Sequence, residues 1–143
     1  MKIGITGTRS QLTGYQIKSI IDYLQSVFTI GSELHHGDCL GADAHVASLA
    51  KEIGYKIVCH PPVSNDLRAN FESDETRNPL SYFARNRNIV DETDFLIVAP
   101  YQNEWQPFGG TWYTHDYAVK KNKQLRIFFP DSDNVIQLMN QGR

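Results

Sequence analysis

The run Phe95-Leu96-Ile97-Val98-Ala99, stopped by Pro100, narrows the fold more than any other stretch. Five consecutive apolar residues ending at a proline suit a strand buried on both faces. Such strands belong to parallel sheets covered by helices on each side. The rest of the chain fits that frame. Lys2-Ile3-Gly4-Ile5-Thr6 reads as a first strand ending at Gly7, Leu34-His35-His36 as a second and Tyr55-Lys56-Ile57-Val58-Cys59 as a third. Leu125-Arg126-Ile127-Phe128-Phe129, stopped by Pro130, reads as the fifth.

Helices alternate with these strands. Ile17, Ile20, Ile21, Leu24, Val27 and Phe28 recur at three and four residues, with Thr13 or Ser10 as the cap and Gly31 closing the segment. Val46, Leu49, Ala50 and Ile53 mark a second helix stopped by Gly54, and Leu80 to Glu92 forms a third. A fourth helix opens at Gly109-Gly110 and runs to about Asn122, and a short one over roughly Asp133 to Met139 finishes the chain. This alternation predicts an α/β fold: a Rossmann-like α/β/α three-layer domain over residues 1–143, with a mainly parallel five-stranded sheet in the order 3-2-1-4-5. Val63 to Pro79 is polar and holds no such pattern; a connection that long is usually functional or mobile.

Composition removes several function classes. With 41% hydrophobic and 21% charged residues the chain is neither disordered nor fibrous. A net charge of -2 argues against a surface built to grip a nucleic-acid backbone, so nucleic acid is not expected as a partner. No apolar run approaches membrane-spanning length. Cys39 and Cys59 lack C-x-x-C spacing and read as free thiols in a reducing compartment. The first strand begins at Lys2, so a signal peptide is not expected and a cytoplasmic location is.

In a doubly wound sheet the ligand sits beyond the carboxyl ends of the strands, where the strand order reverses. Three glycine turns fall on that edge. Gly7-Thr8-Arg9 follows the first strand, and Arg9 is suited to a phosphate or to a solvated turn. His36-Gly37-Asp38-Cys39-Leu40-Gly41-Ala42-Asp43 follows the second, its two glycines letting the backbone bend and approach a ligand. Asp38 and Asp43 are candidates for ribose hydroxyls or for a general base; Asp43 equally suits a helix N-terminus. Gly109-Gly110-Thr111, beyond Pro100, has the exposed amides and hydroxyl of a phosphate cradle, with Thr114 one turn further on.

Arg85-Asn86-Arg87 is the cationic segment of an otherwise acidic protein. Positions 85 and 87 diverge by about 200° on a helix, so Arg85 is expected to face the site and Arg87 to make a structural or intersubunit pair. Trp105, Phe108, Trp112, Tyr113 and Tyr117 flank the third turn, and some of them suit stacking on a base. His35, His36, Asp38 and His45 have no metal-ligand spacing, so neither a metal nor a resident cofactor is expected.

Taken in order, Gly4-Ile5-Thr6-Gly7-Thr8-Arg9, the 36–43 stretch, Ala84-Arg85-Asn86-Arg87-Asn88-Ile89-Val90 and Gly109-Gly110-Thr111 resemble the SLOG superfamily. This is the Rossmann-like group that includes the DprA/Smf proteins and the Lonely Guy enzymes, and the likeness is nearest to its small YspA-like members. It runs from about Met1 to Pro130. The resemblance implies a nucleotide-binding domain, commonly a homodimer, with the ligand phosphate at Gly110-Thr111. Lonely Guy enzymes cleave the N-glycosidic bond of nucleoside monophosphates with a glutamate shortly after this turn. Here Trp112 to Asp116 contain no glutamate, so a hydrolase would need Asp38, Asp43 or Asp116 in its place. The leading expectation is a protein that binds a phosphorylated nucleoside or an NAD-derived or cyclic signalling nucleotide, as a sensor, carrier or sequestering protein. An N-glycoside hydrolase is the alternative, and single-stranded DNA binding as in DprA ranks last.

Overall fold

The computed structural model describes residues 1–131; the helix expected over 133–139 lies outside them. The elements follow the order β1 (Lys2–Gly7), α1 (Gly14–Val27), β2 (Glu33–His36), α2 (Ala42–Ile53), β3 (Lys56–Cys59), β4 (Glu75–Thr76), α3 (Tyr82–Glu92), β5 (Phe95–Ala99), α4 (Gly110–Lys120) and β6 (Gln124–Ile127). All pairings are parallel and the sheet order is β4-β3-β2-β1-β5-β6. The five expected strands stand in the expected order, and a sixth, β4, is added at the edge. Its two residues, Glu75 and Thr76, carry no apolar alternation that could announce a strand.

The sheet sorts its side chains by parity. Ile97 and Ala99 of β5 join Ile3, Ile5, Leu34 and Ile57 in a core under α1 and α2. Leu96 and Val98 of the same strand face Ile89, Val90, Trp112 and Ala118 on α3 and α4. Both faces of β5 are therefore covered, as its unbroken apolar sequence requires. Gly4 lets α3 approach β1 closely: a Cβ there would lie 2.7 Å from Ile89 Cγ2.

Helix α1 is fastened to the edge of the sheet that carries the candidate site. Thr13 and Gln16 form a reciprocal capping box. The buried Gln16 amide then donates to the carbonyls of Pro100 (2.8 Å) and Phe128 (2.9 Å), while Thr13 Oγ1 donates to Pro130 O (2.7 Å). One helix start thus satisfies the backbone just beyond β5 and β6. Helix α3 begins at Tyr82 rather than Leu80, because Leu80 pairs with Pro61 and Val63 through its backbone and Ser81 takes the cap position.

Candidate functional site

Three connections interlock at the carboxyl ends of the central strands. Thr8 N donates to Ala99 O and Ala42 N donates to Thr8 O, each at 2.9 Å, so the segments after β1, β2 and β5 are tied together. Two glycines make the crossing possible. A Cβ at Gly7 would lie 2.6 Å from Ala42 Cβ. Gly41 has φ +89°, and a Cβ there would lie 2.5 Å from Thr8 O. Above this crossing opens a cavity of about 770 Å³.

Its floor is Gly7, Thr8, Arg9, Cys39 and Asp43; one wall is Ser81, Tyr82, Arg85 and Asn86 from the start of α3. The opposite wall is Pro100, Tyr101 and the Gly109-Gly110-Thr111 start of α4. Gly109, at φ +96°, places no capping side chain over α4, so among the described residues no side chain caps the first amides of that helix, which borders the opening. Asn86 sits opposite. Its Oδ1 accepts from Arg85 Nε at 2.7 Å, which turns its Nδ2 toward Gly110, 3.6 Å from where a Cβ would stand.

Arg85 is only 3% exposed, yet it lines the cavity. Its Nη1 donates to the carbonyls of Gly37 and His60, the latter at 3.1 Å, and Nη2 lies 3.6 Å from Cys39 Sγ. Gly37 is what admits it: a Cβ there would lie 2.6 Å from the guanidinium carbon. Arg9 and Arg85 both sit over the Tyr82 ring, at 5.5 and 5.6 Å from its centroid. Among the described residues neither guanidinium is ion-paired. Two guanidiniums without a direct ion pair among the described residues and an uncapped helix start therefore share one opening.

The acidic counterpart is Asp43. Burial raises its pKa to about 6 against the opposing pull of Arg85 and of the Gly37 and Cys39 amides. Only Oδ2 takes those amides, at 2.9 and 3.5 Å. The Cys39 thiol is pushed up by burial and by Asp43, which keeps it protonated rather than a nucleophile.

Of the residues singled out in the sequence, Gly7, Thr8, Arg9, Asp43, Arg85, Asn86, Pro100, Gly109, Gly110 and Thr111 line this cavity. Five do not. Asp38 lies apart from it: fully buried, its carboxylate accepts from Arg68 Nε (2.8 Å), Phe71 N (2.9 Å) and Asn70 N (3.2 Å). It staples the polar 63–79 connection, with Oδ2 shared between Arg68 and Asn70 and Oδ1 held by Phe71, away from the cavity. His36 is buried beside it, accepting from Asp38 N through Nδ1 and pairing with Ser73 through Nε2. Gly37 and Gly41 shape the turns from behind. Thr114 Oγ1 donates to Gly110 O at 2.7 Å, inside α4. Asp116 lines a neighbouring groove and accepts from Trp105 Nε1 at 3.2 Å. Asp43 is thus the one of the three candidate replacements for the missing glutamate that reaches the cavity. Arg87 points away from it and donates to Tyr113 OH at 2.7 Å, as the helical geometry requires. Tyr82 went unremarked in the sequence, although it stands one helical turn before Arg85.

Two clusters bring three possible metal-ligand atoms within 4.8 Å of one another: His36-Asp38-Cys59 and His35-His60-Glu92. Hydrogen bonds engage the imidazole and carboxylate of the first, and its Cys59 thiol is pushed up to about 12 by burial. In the second, Glu33 accepts from His35 Nε2 at 2.8 Å, which leaves His35 Nδ1 to accept from His60 Nε2 at 2.8 Å. Glu92 accepts from Arg77 Nε at 3.0 Å. Neither cluster opens into the cavity.

No protein-family model and no curated protein matches the sequence, but solved structures match its fold. The molybdenum cofactor binding protein of the phototrophic bacterium Rippkaea orientalis superposes with a TM-score of 0.72 at 22% identity, over 99% of this chain and 80% of that one. DNA processing protein A of Helicobacter pylori, described with a single-stranded DNA binding mode, gives 0.68 at 23% identity over 99% and 73%. The molybdenum cofactor carrier protein of Chlamydomonas reinhardtii gives 0.65 at 18% over 99% and 85%. The shared fold is a Rossmann-like, parallel α/β sheet. At these identities the SLOG likeness speaks for architecture alone. Among the described residues no helix is long and apolar enough to cross a membrane.

Proposed function

We propose that this chain binds a phosphorylated nucleoside, or a nucleotide related to one, in the cavity above β1, β2 and β5. The observation that carries the reading is the pair Arg9 and Arg85: two guanidiniums around one tyrosine ring, unpaired with any carboxylate among the described residues. Arg85 is buried and Arg9 exposed beside it; burying a cation without a counter-charge is costly, and an anion placed between the two would complete the site. The bare amides of α4 and the oriented Asn86 amide offer the phosphate its remaining donors. Asp43 Oδ1 suits a sugar hydroxyl. The role is to hold the ligand, as sensor, carrier or sequestering protein; similarly folded proteins are described as binding the molybdenum cofactor or single-stranded DNA.

Arg9 gives the clean test, because among the described residues its side chain makes no hydrogen bond and rests on Tyr82. Arg9→Gln is expected to weaken binding of the ligand by about tenfold or more, the worth of one charge-assisted contact, with the melting temperature unchanged. Native mass spectrometry of the purified protein, followed by calorimetric titration with nucleoside monophosphates, reads it. Equal affinity in the variant, or an empty protein that binds none of them, would sink the proposal.

A second reading, an N-glycoside hydrolase, is favoured by Asp43 alone. A cavity carboxyl with a pKa near 6 can hold or release a proton near neutrality. On this reading Asp43→Asn abolishes release of free base from a nucleoside monophosphate while leaving its binding intact. Binding without release in the unaltered protein excludes it.

A further inference from the structure

The ligand cavity does not end at the start of α4. A groove of about 540 Å³ continues past it and shares Phe83, Gln106, Phe108, Gly109 and Trp112 with the first cavity. Its own lining adds Tyr113, Tyr117 and, at the far end, Lys120. Gly109, at the start of α4, thus borders both chambers, with the uncapped amide of Gly110 beside it in the first.

The groove is built of rings held in place. Phe83 and Tyr113 pack with centroids 4.3 Å apart, and Arg87 holds the Tyr113 hydroxyl at 2.7 Å. The Tyr117 hydroxyl donates to Asp91 at 2.8 Å. Both tyrosine rings are positioned before anything binds. Phe83 is 51% and Phe108 74% exposed on the rim common to both chambers. Aromatic faces fixed beside an anion site are what a second planar heterocycle needs. From Gly110 to Lys120 the groove follows three turns of helix, about 15 Å, which exceeds what a mononucleotide anchored in the first chamber would reach.

Resting on the nucleotide reading above, we infer that the ligand class is a dinucleotide: two heterocycles joined through phosphate, one in each chamber, the phosphate over the start of α4. The second ring lies against Phe83 and Tyr113, and Lys120 meets its polar edge or a terminal phosphate.

Binding of AMP, NAD⁺ and the 5′-phosphorylated dinucleotide pApA is measured by calorimetry and by quenching of tryptophan fluorescence, since Trp112 lines both chambers. At least one of the two larger probes is expected to bind tenfold or more tightly than AMP. Tyr113→Ala is expected to remove that gain and leave AMP affinity unchanged. Lys120→Ala, at an exposed position that cannot compromise folding, is expected to remove part of it. If AMP binds and neither larger probe binds better, or the gain survives both substitutions, the dinucleotide class is wrong and the nucleotide reading stands. Failure of all three probes overturns both. Should Tyr113→Ala instead dissociate a homodimer with dinucleotide affinity unchanged, the groove is a subunit contact and the inference fails.

Discussion

Replacing Asp38 with alanine is expected to destabilise the fold by about 3–5 kcal/mol, the usual cost of removing one partner from a buried charge pair. The carboxylate is fully buried, and its loss strands the Arg68 guanidinium and the amides of Asn70 and Phe71 together. Asp38→Asn is the milder counterpart. Asparagine tolerates the residue's positive φ of 60° and keeps one acceptor, but it surrenders the charge. Urea unfolding of both variants checks the ordering; a loss under about 1 kcal/mol for alanine would mean that the 63–79 connection is held by something else. There is a corollary for enzymology. An inactive Asp38 variant would report a released loop, not a missing catalyst.

Arg85→Met is expected to lower ligand affinity about a hundredfold and to destabilise the apoprotein as well. The affinity loss combines a charge-assisted contact with the disordering of Asn86, whose amide is aimed by Arg85 Nε. The stability loss comes from the carbonyls of Gly37 and His60, left without their donor, at about 1–3 kcal/mol for each one that water cannot reach. Arg85→Lys should recover charge but not shape, since the compact ammonium cannot reproduce the planar, extended fork whose separate nitrogens reach the carbonyls and the neighbouring amide. Calorimetry and thermal melts on the two variants, beside Arg9→Gln, separate charge from scaffold. If Arg85→Met bound ligand as well as the unaltered protein, the cavity would not be an anion site.

Much of this architecture could be read from the chain because its elements are locally consistent. The apolar run at 95–99, the cap candidate Thr13 and the glycine stops each say the same thing as the fold they end up in. β4 could not be read, because two polar residues become a strand only when β3 offers an edge. The lining of the cavity was legible where backbone chemistry defines it, at Gly7-Thr8-Arg9 and Gly109-Gly110-Thr111. It was misread where a side chain's partner is distant in sequence. Asp38 and Asp43 look alike on paper, and what separates them is Arg68, thirty residues on, which takes one carboxylate out of play. Gly37 suggested a ligand pressed against the backbone; its missing side chain makes room for the protein's own arginine instead.

The tie from Ala42 N to Thr8 O to the β5 end divides this edge of the molecule into two regimes. Everything below it is cross-braced by backbone bonds and admits no side chain at Gly7 or Gly41. The segment between Pro100 and Gly109 contributes walls to both chambers without entering that brace. On the proposed reading, an exchange of residues 101–108 for a loop of the same length would therefore recut ligand preference while the floor of the cavity stays as it is. For a lineage of such proteins, that is a route to new ligands that leaves the foundations alone.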